Sequence, residues 1–80
     1  MNIRAEIVTQ FTQVAQDHDK HLATLTDDLE LLESGLDSLC FAVIVVRLQD
    51  ALGADPFSTF EDAPFPVTFG EFVRFYEQAA

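Results

Sequence analysis

The first part of the chain carries apolar residues at the spacing of one helix face, with mostly polar residues between them. The positions on this face are Ile3, Ile7, Phe11, Val14 and His18. The pattern predicts a first helix over roughly residues 2 to 18, with one face in a core and the other in water.

The stretch from residue 19 to residue 37 has no clear periodicity, which predicts a long connecting loop with a short helical turn around Leu29 to Leu32. No basic residue stands between Lys20 and Arg47. After Lys20 the loop contains the acidic residues Asp27, Asp28, Glu30, Glu33 and Asp37. Long loops inside compact domains are uncommon and are often functional.

A second helix is predicted from Ser38 to about Leu52. Its centre is rich in β-branched residues and would also suit a buried strand. The apolar pattern continues for longer than a strand, however, and Gly53 supplies a typical helix stop. We expect the core side of this helix to consist of Phe41, Ile44, Val45, Leu48 and Leu52.

The last part of the chain predicts two further helices. A short helix is expected over Phe57 to Ala63, between breaks at Pro56 and Pro64. Thr68 and Glu71 have the spacing of a capping box, which predicts the start of a last helix. The inward side of that helix is expected to consist of Phe69, Phe72, Val73 and Tyr76.

The composition fits a single domain over residues 1–80, because 49% of the residues are apolar and the chain is too short for a second core. The predicted fold is all-α, a small four-helix bundle of three main helices and one short helix. Four basic residues against fourteen acidic residues give a net charge of −10, which disfavours binding to nucleic acid and to anionic membranes.

The expected location is the cytoplasm. The first residues lack the apolar run of a signal peptide, and the longest apolar stretch is too short to cross a bilayer as a helix. The single cysteine, Cys40, has no partner for an internal disulfide.

The candidate site lies where the loop meets the second helix. Gly35 permits a sharp turn, Asp37 has the position of an N-cap, and Ser38 then stands in the first turn with its hydroxyl in water. An anion is favoured at the positive end of a helix dipole, next to unpaired backbone N–H groups. Ser38 is therefore predicted to be a covalent attachment site that suits a phosphate-linked group.

The run around Ser38 resembles the attachment motif of the acyl and peptidyl carrier protein family, and the order of predicted helices resembles that family over the whole chain. The run is Gly35-Leu36-Asp37-Ser38-Leu39. The resemblance implies that Ser38 carries a covalent 4′-phosphopantetheine arm, whose thiol holds an acyl or aminoacyl group as a thioester. It gives Asp37 a role in recognition besides capping. It also implies a phosphopantetheinyl transferase, an acyl- or aminoacyl-adenylating ligase and a downstream transferase as partners.

The second helix carries fewer acidic residues than the corresponding helix of housekeeping fatty-acid carriers. An apolar strip beside Ser38 resembles the docking face of peptidyl carriers, although part of it could instead pack against the loop or the short helix. The apolar strip consists of Leu39, Ala42, Val43 and Val46. The residues expected to contact partners are Leu36, Leu39, Val43, Val46 and Arg47.

The leading hypothesis is a specialised, free-standing carrier that acts as a monomer. The alternatives are a housekeeping fatty-acid carrier and an unmodified helical interaction module. The chain contains eight phenylalanines, which predict a rigid core. A small cargo that stays outside the core is therefore expected, because a close-packed interior resists added volume.

Catalytic and metal-binding alternatives have weaker support. His18 and His21 stand three residues apart without a further His or Cys cluster, and the acidic loop lacks the glycine and terminal glutamate of a calcium loop. Neither histidine is placed by the sequence to activate Cys40, and the run around Ser38 lacks the second glycine of a hydrolase elbow. No enzyme activity, catalytic residue or metal site is predicted.

Overall fold

The computed structural model of the protein describes residues 2–53, 56 and 65–79. This part of the chain contains three α-helices, which are α1 over Ile3–Asp17, α2 over Ser38–Leu52 and α3 over Phe69–Ala79. It contains no strand, so the prediction of an all-α helical bundle is confirmed for the described residues. None of the helices described here has the length and apolar character needed to cross a membrane. The short helix predicted over Phe57 to Ala63 lies outside the described residues.

Hydrogen bonds at both ends set the bounds of α1. The Asn2 side chain accepts a hydrogen bond from the Ala5 N–H at 3.0 Å and caps the start of the helix. After the helix the backbone turns through Asp19, which has a positive φ of 55°. The Lys20 N–H then donates to the Ala15 carbonyl at 2.7 Å. The prediction for this helix is confirmed to within one residue at each end.

Helix α2 has the bounds predicted from its sequence, despite the β-branched residues at its centre. Asp37 caps its start, and Gly53 ends it in the left-handed conformation with a φ of 68°. Its fully buried residues are Cys40, Ile44 and Leu48, which are spaced by four and belong to the core. Burial of this face outweighs the intrinsic preference of Val and Ile for strands.

Aromatic rings link the helices in the core, where α1 lies against both α2 and α3. The ring of Phe11 makes edge contacts with Phe41, Phe69 and Phe72, at centroid distances of 6.2, 5.2 and 5.4 Å. Phe72 also meets the ring of Tyr76 at 5.1 Å. Edge contacts between rings stabilise the fold beyond the area that they bury. The core positions predicted for Phe41, Phe69 and Phe72 are confirmed.

The long loop is fastened to the start of α3. An isolated antiparallel bridge pairs Glu30 with Thr68, and a 3-10 helix follows it over Leu31–Glu33, slightly later than the predicted turn. The Thr68 hydroxyl accepts a hydrogen bond from the Glu71 N–H at 3.2 Å, as the capping box predicts. The same Thr68 hydroxyl donates a hydrogen bond to the Glu71 carboxylate at 3.2 Å, so the two side chains contact each other.

The buried face of α2 is rotated relative to the prediction. Val45, predicted to face the core, lies outside the core cluster, and Cys40 is fully buried instead. Val43, a residue of the apolar strip, is partly buried against the core. Because this helix is apolar on nearly every side, its hydrophobic pattern does not determine which face meets α1. The remaining predicted core residues are buried or partly buried, namely Phe41, Ile44, Leu48 and Leu52.

Candidate attachment site at the start of the second helix

The turn that leads into α2 requires the glycine at position 35. Gly35 has a φ of 96°, a conformation that residues with side chains rarely adopt. A Cβ atom at this position would also clash with the backbone carbonyl oxygen of His21. The segment that contains His21 lies directly against the turn, and the Ala23 N–H donates to the Ser34 carbonyl at 2.9 Å. The interpretation of Gly35 as a turn residue is confirmed.

The two serines that flank this turn differ in exposure. Ser34 is fully buried, and its hydroxyl donates to the Leu31 carbonyl at 2.6 Å and accepts from the Leu36 N–H at 3.4 Å. Ser38, the first residue of α2, is exposed. Ser38 is therefore accessible at the surface, whereas the hydroxyl of Ser34 is used to form the turn.

Asp37 holds the start of α2 with both carboxylate oxygens. Its Oδ1 accepts a hydrogen bond from the Cys40 N–H at 3.0 Å, and its Oδ2 lies 3.3 Å from Nζ of Lys20. Hydrogen bonds from Cys40, followed by the interaction with Lys20, lower the pKa of Asp37 to about 2. The predicted N-cap is confirmed, and its carboxylate is ionised at neutral pH. The contact with Lys20 was not predicted, because the loop that contains Lys20 has no periodicity from which to place it.

An apolar groove with a volume of about 570 Å³ opens beside Ser38. One side of the groove is formed by α2, and the other by the 3-10 helix and the chain before α3. The described residues that line it are Leu31, Leu32, Ser38, Phe41, Ala42, Val45 and Phe65. Leu32 is 92% exposed, so one of the large apolar residues that line the groove lies almost fully in water. The groove was not evident from the sequence, because it joins residues from three separate segments.

The apolar strip of α2 continues from this groove. Ala42 borders both the groove and a smaller hollow of about 390 Å³, which is also lined by Val43, Val46 and Arg47. Leu39 and Val46 are 62% and 61% exposed. The groove and the smaller hollow therefore give the outer face of α2 two adjoining apolar surfaces, close to Ser38. Exposed apolar patches of this kind commonly mark interaction sites.

Three residues of the predicted docking set have contacts within the protein, and one of them is Val43, which is partly buried against the core. Leu36 is buried in the core beside the Gly35 turn, which leaves it little surface for a partner. The structure therefore moves Leu36 from the docking set to the core. Arg47 forms an ion pair with Asp17 at 2.8 Å, which joins α2 to the end of α1.

The residues considered for metal or thiol chemistry occupy different surroundings. His18 forms the C-cap of α1, and His21 is exposed. Cys40 is a free cysteine that is fully buried. Within residues 2–53, 56 and 65–79, no group of three or more His, Cys, Asp or Glu side chains could hold a metal ion.

Comparison of the chain with models of known families, with curated proteins and with solved structures finds no match. The resemblance to carrier proteins therefore stays a prediction, which depends on the motif around Ser38 and on the predicted order of the helices.

Proposed function

We propose that this protein is a specialised carrier that holds an acyl or aminoacyl group for transfer between partner enzymes. A 4′-phosphopantetheine arm on Ser38 supplies the thiol that binds this group as a thioester. The proposal is carried by one observation, the exposed position of Ser38 at a capped helix start, four residues after a serine that is fully buried. The protein is then a substrate of enzymes and has no catalytic residue of its own.

The surroundings of Ser38 support attachment of a phosphodiester. The positive end of a helix dipole favours an anion by about 0.3–1 kcal/mol at an exposed position. The Asp37 carboxylate repels the negative charge of a phosphodiester on Ser38. However, its Oδ1 accepts the Cys40 N–H and its Oδ2 faces Lys20, so much of that charge is already balanced. The remaining repulsion between exposed charges is weakened further by salt.

The attachment step forms one bond and breaks one bond. The Ser38 oxygen bonds to phosphorus of coenzyme A, the pyrophosphate bond of coenzyme A breaks, and adenosine 3′,5′-bisphosphate leaves. A base of the phosphopantetheinyl transferase accepts the hydroxyl proton. The exposure of Ser38 supports a reaction in which the transferase supplies the base and this protein supplies only the hydroxyl, because the transferase can approach Ser38 directly.

Apolar surfaces support docking of the adenylating ligase and the downstream transferase. The groove and the apolar strip both reach the neighbourhood of Ser38, and Asp50 is the only acidic residue within α2. These features favour a specialised carrier over a housekeeping fatty-acid carrier, which the resemblance associates with a more acidic helix. The same surfaces also support the second candidate, a helical interaction module that binds its partner without any arm.

Intact mass distinguishes the carrier from the interaction module. The purified protein is incubated with coenzyme A, Mg²⁺ and a broad-specificity phosphopantetheinyl transferase, and fragmentation then identifies the modified residue. We expect one arm on Ser38. The variant Ser38→Ala should stay unmodified with an unchanged circular dichroism spectrum, because Asp37 still caps the helix.

Other results would contradict the proposal in different ways. An arm on Ser34 or Ser58 would show that the site is wrong. An unchanged mass of the wild-type protein with several transferases would favour the unmodified interaction module.

A further inference from the structure

The start of α2 has one basic contact among the described residues, which is Lys20. Its Nζ lies 3.3 Å from Oδ2 of Asp37, the residue that precedes Ser38. The chain contains four basic residues against fourteen acidic residues. The next basic residue after Lys20 is Arg47, and it pairs with Asp17. A positive charge beside the attachment site is therefore scarce in this protein.

The backbone around Lys20 is held on both sides. The Lys20 N–H donates to the Ala15 carbonyl at 2.7 Å, at the end of α1. A few residues later the Ala23 N–H donates to the Ser34 carbonyl at 2.9 Å, and the carbonyl of His21 lies against Gly35. Lys20 therefore reaches Asp37 from a segment that packs directly on the turn before Ser38.

We propose that Lys20 is a positioning residue for modification of Ser38. It binds one carboxylate oxygen of Asp37 while the other oxygen caps the helix, and this arrangement fixes the first turn that presents the Ser38 hydroxyl. The ammonium also balances the charge of Asp37 beside the incoming phosphate. The inference rests on the proposed function, and it adds a determinant that lies outside the attachment motif.

The expected size of the effect follows from the exposure of the pair. The side chains of Lys20 and Asp37 are 37% and 52% exposed. Exposed ion pairs have small energies, which correspond to about twofold to fivefold in a rate or equilibrium constant. Loss of Lys20 should therefore slow attachment without preventing folding.

The test compares the initial rate of arm transfer from coenzyme A among matched variants. Lys20→Gln should lower kcat/KM by about twofold to fivefold at low salt. Lys20→Arg should restore the rate, and added salt should reduce the difference. Arg4→Gln is the control, because Arg4 pairs with Asp27 at 2.7 Å and its loss removes the same charge without a direct contact to Asp37.

Carboxyl carbon NMR of Asp37 separates positioning from a general loss of structure. The pKa of Asp37 should rise in Lys20→Gln, recover in Lys20→Arg and stay unchanged in Arg4→Gln. Equal transfer rates for Lys20→Gln and wild type, or an equal loss in Arg4→Gln, would overturn the role of Lys20 and leave attachment to Ser38 intact. Failure of the wild type to accept the arm would overturn the proposed function and this inference together.

Discussion

The two faces of α2 are both apolar, yet their surroundings are opposite. The inner face presents Cys40, Ile44 and Leu48, which are fully buried among the aromatic rings of the core. The outer face presents Leu39 and Val46, which are mostly in water. The difference shows that apolar character alone does not decide burial here. Contact with α1 covers one side of the helix, and the other side remains available to a partner.

The position of Ser38 gives this contrast a functional meaning. Ser38 begins α2, and both the groove and the apolar strip lie beside it on the outer surface. The inner face therefore stabilises the platform, and we propose that the outer face is used for docking. Three sets of substitutions test whether the two faces have these separate roles.

The largest effect on stability is expected from shortening a side chain on the inner face. Ile44→Ala removes a fully buried side chain and should lower the free energy of unfolding by about 2–5 kcal/mol. Leu39→Ala, the matched change on the outer face, should alter it by about 0.5 kcal/mol or less. Urea denaturation followed by circular dichroism measures both values. Equal losses in the two variants would show that the outer face is also covered within the protein.

The next effect is on loading by the adenylating ligase. Val46→Asp places a charge in the apolar strip and should lower kcat/KM for loading about tenfold, since an unpaired charge at an apolar contact is costly. Added salt should change loading only modestly, because salt screens charges and does not weaken apolar burial. Gln13→Asp adds an acidic residue to the exposed side of α1 and is the control. Strong salt sensitivity with an unaffected Val46→Asp would indicate steering by the acidic loop instead.

The smallest effect is expected from removing the Asp37 cap. This cap sets the first residue of α2 and therefore the start of both faces. Folding lowers the pKa of Asp37 from 3.8 to about 2, so the ionised carboxylate stabilises the fold at pH values above 3.8. This stabilisation is lost as the pH falls through the folded-state pKa of about 2. Asp37→Ala should therefore have a lower urea midpoint than wild type at pH 7, and the difference should shrink between about pH 4 and pH 2. Asp37→Asn retains a capping oxygen and should lie between them at pH 7. Identical midpoints for Asp37→Ala and wild type at pH 7 would contradict a stabilising cap.

Local signals were sufficient to predict the three helices that the structure describes and the capped helix start at the centre of the candidate site. The Asp37 cap and the Gly53 stop act on backbone groups within a few residues, so the bounds of α2 could be predicted from its own sequence. The same is true of the Gly35 turn, whose positive φ is a property of that residue. The proposed assignment of the arm to Ser38 depends on the adjacent motif together with the predicted order of helices along the chain.

Contacts between distant segments decided the remaining features. The burial of Leu36, the rotation of α2 that places Val45 outside the core, and the pairing of Lys20 with Asp37 all depend on how the loop and helices pack. A helix that is apolar on nearly all sides can bury any of several faces, and a loop without periodicity gives no direction for its side chains. The amino-acid sequence by itself therefore determined where α2 starts and which serine stands there. Only the tertiary structure decided which apolar face is buried and which charge lies beside that serine.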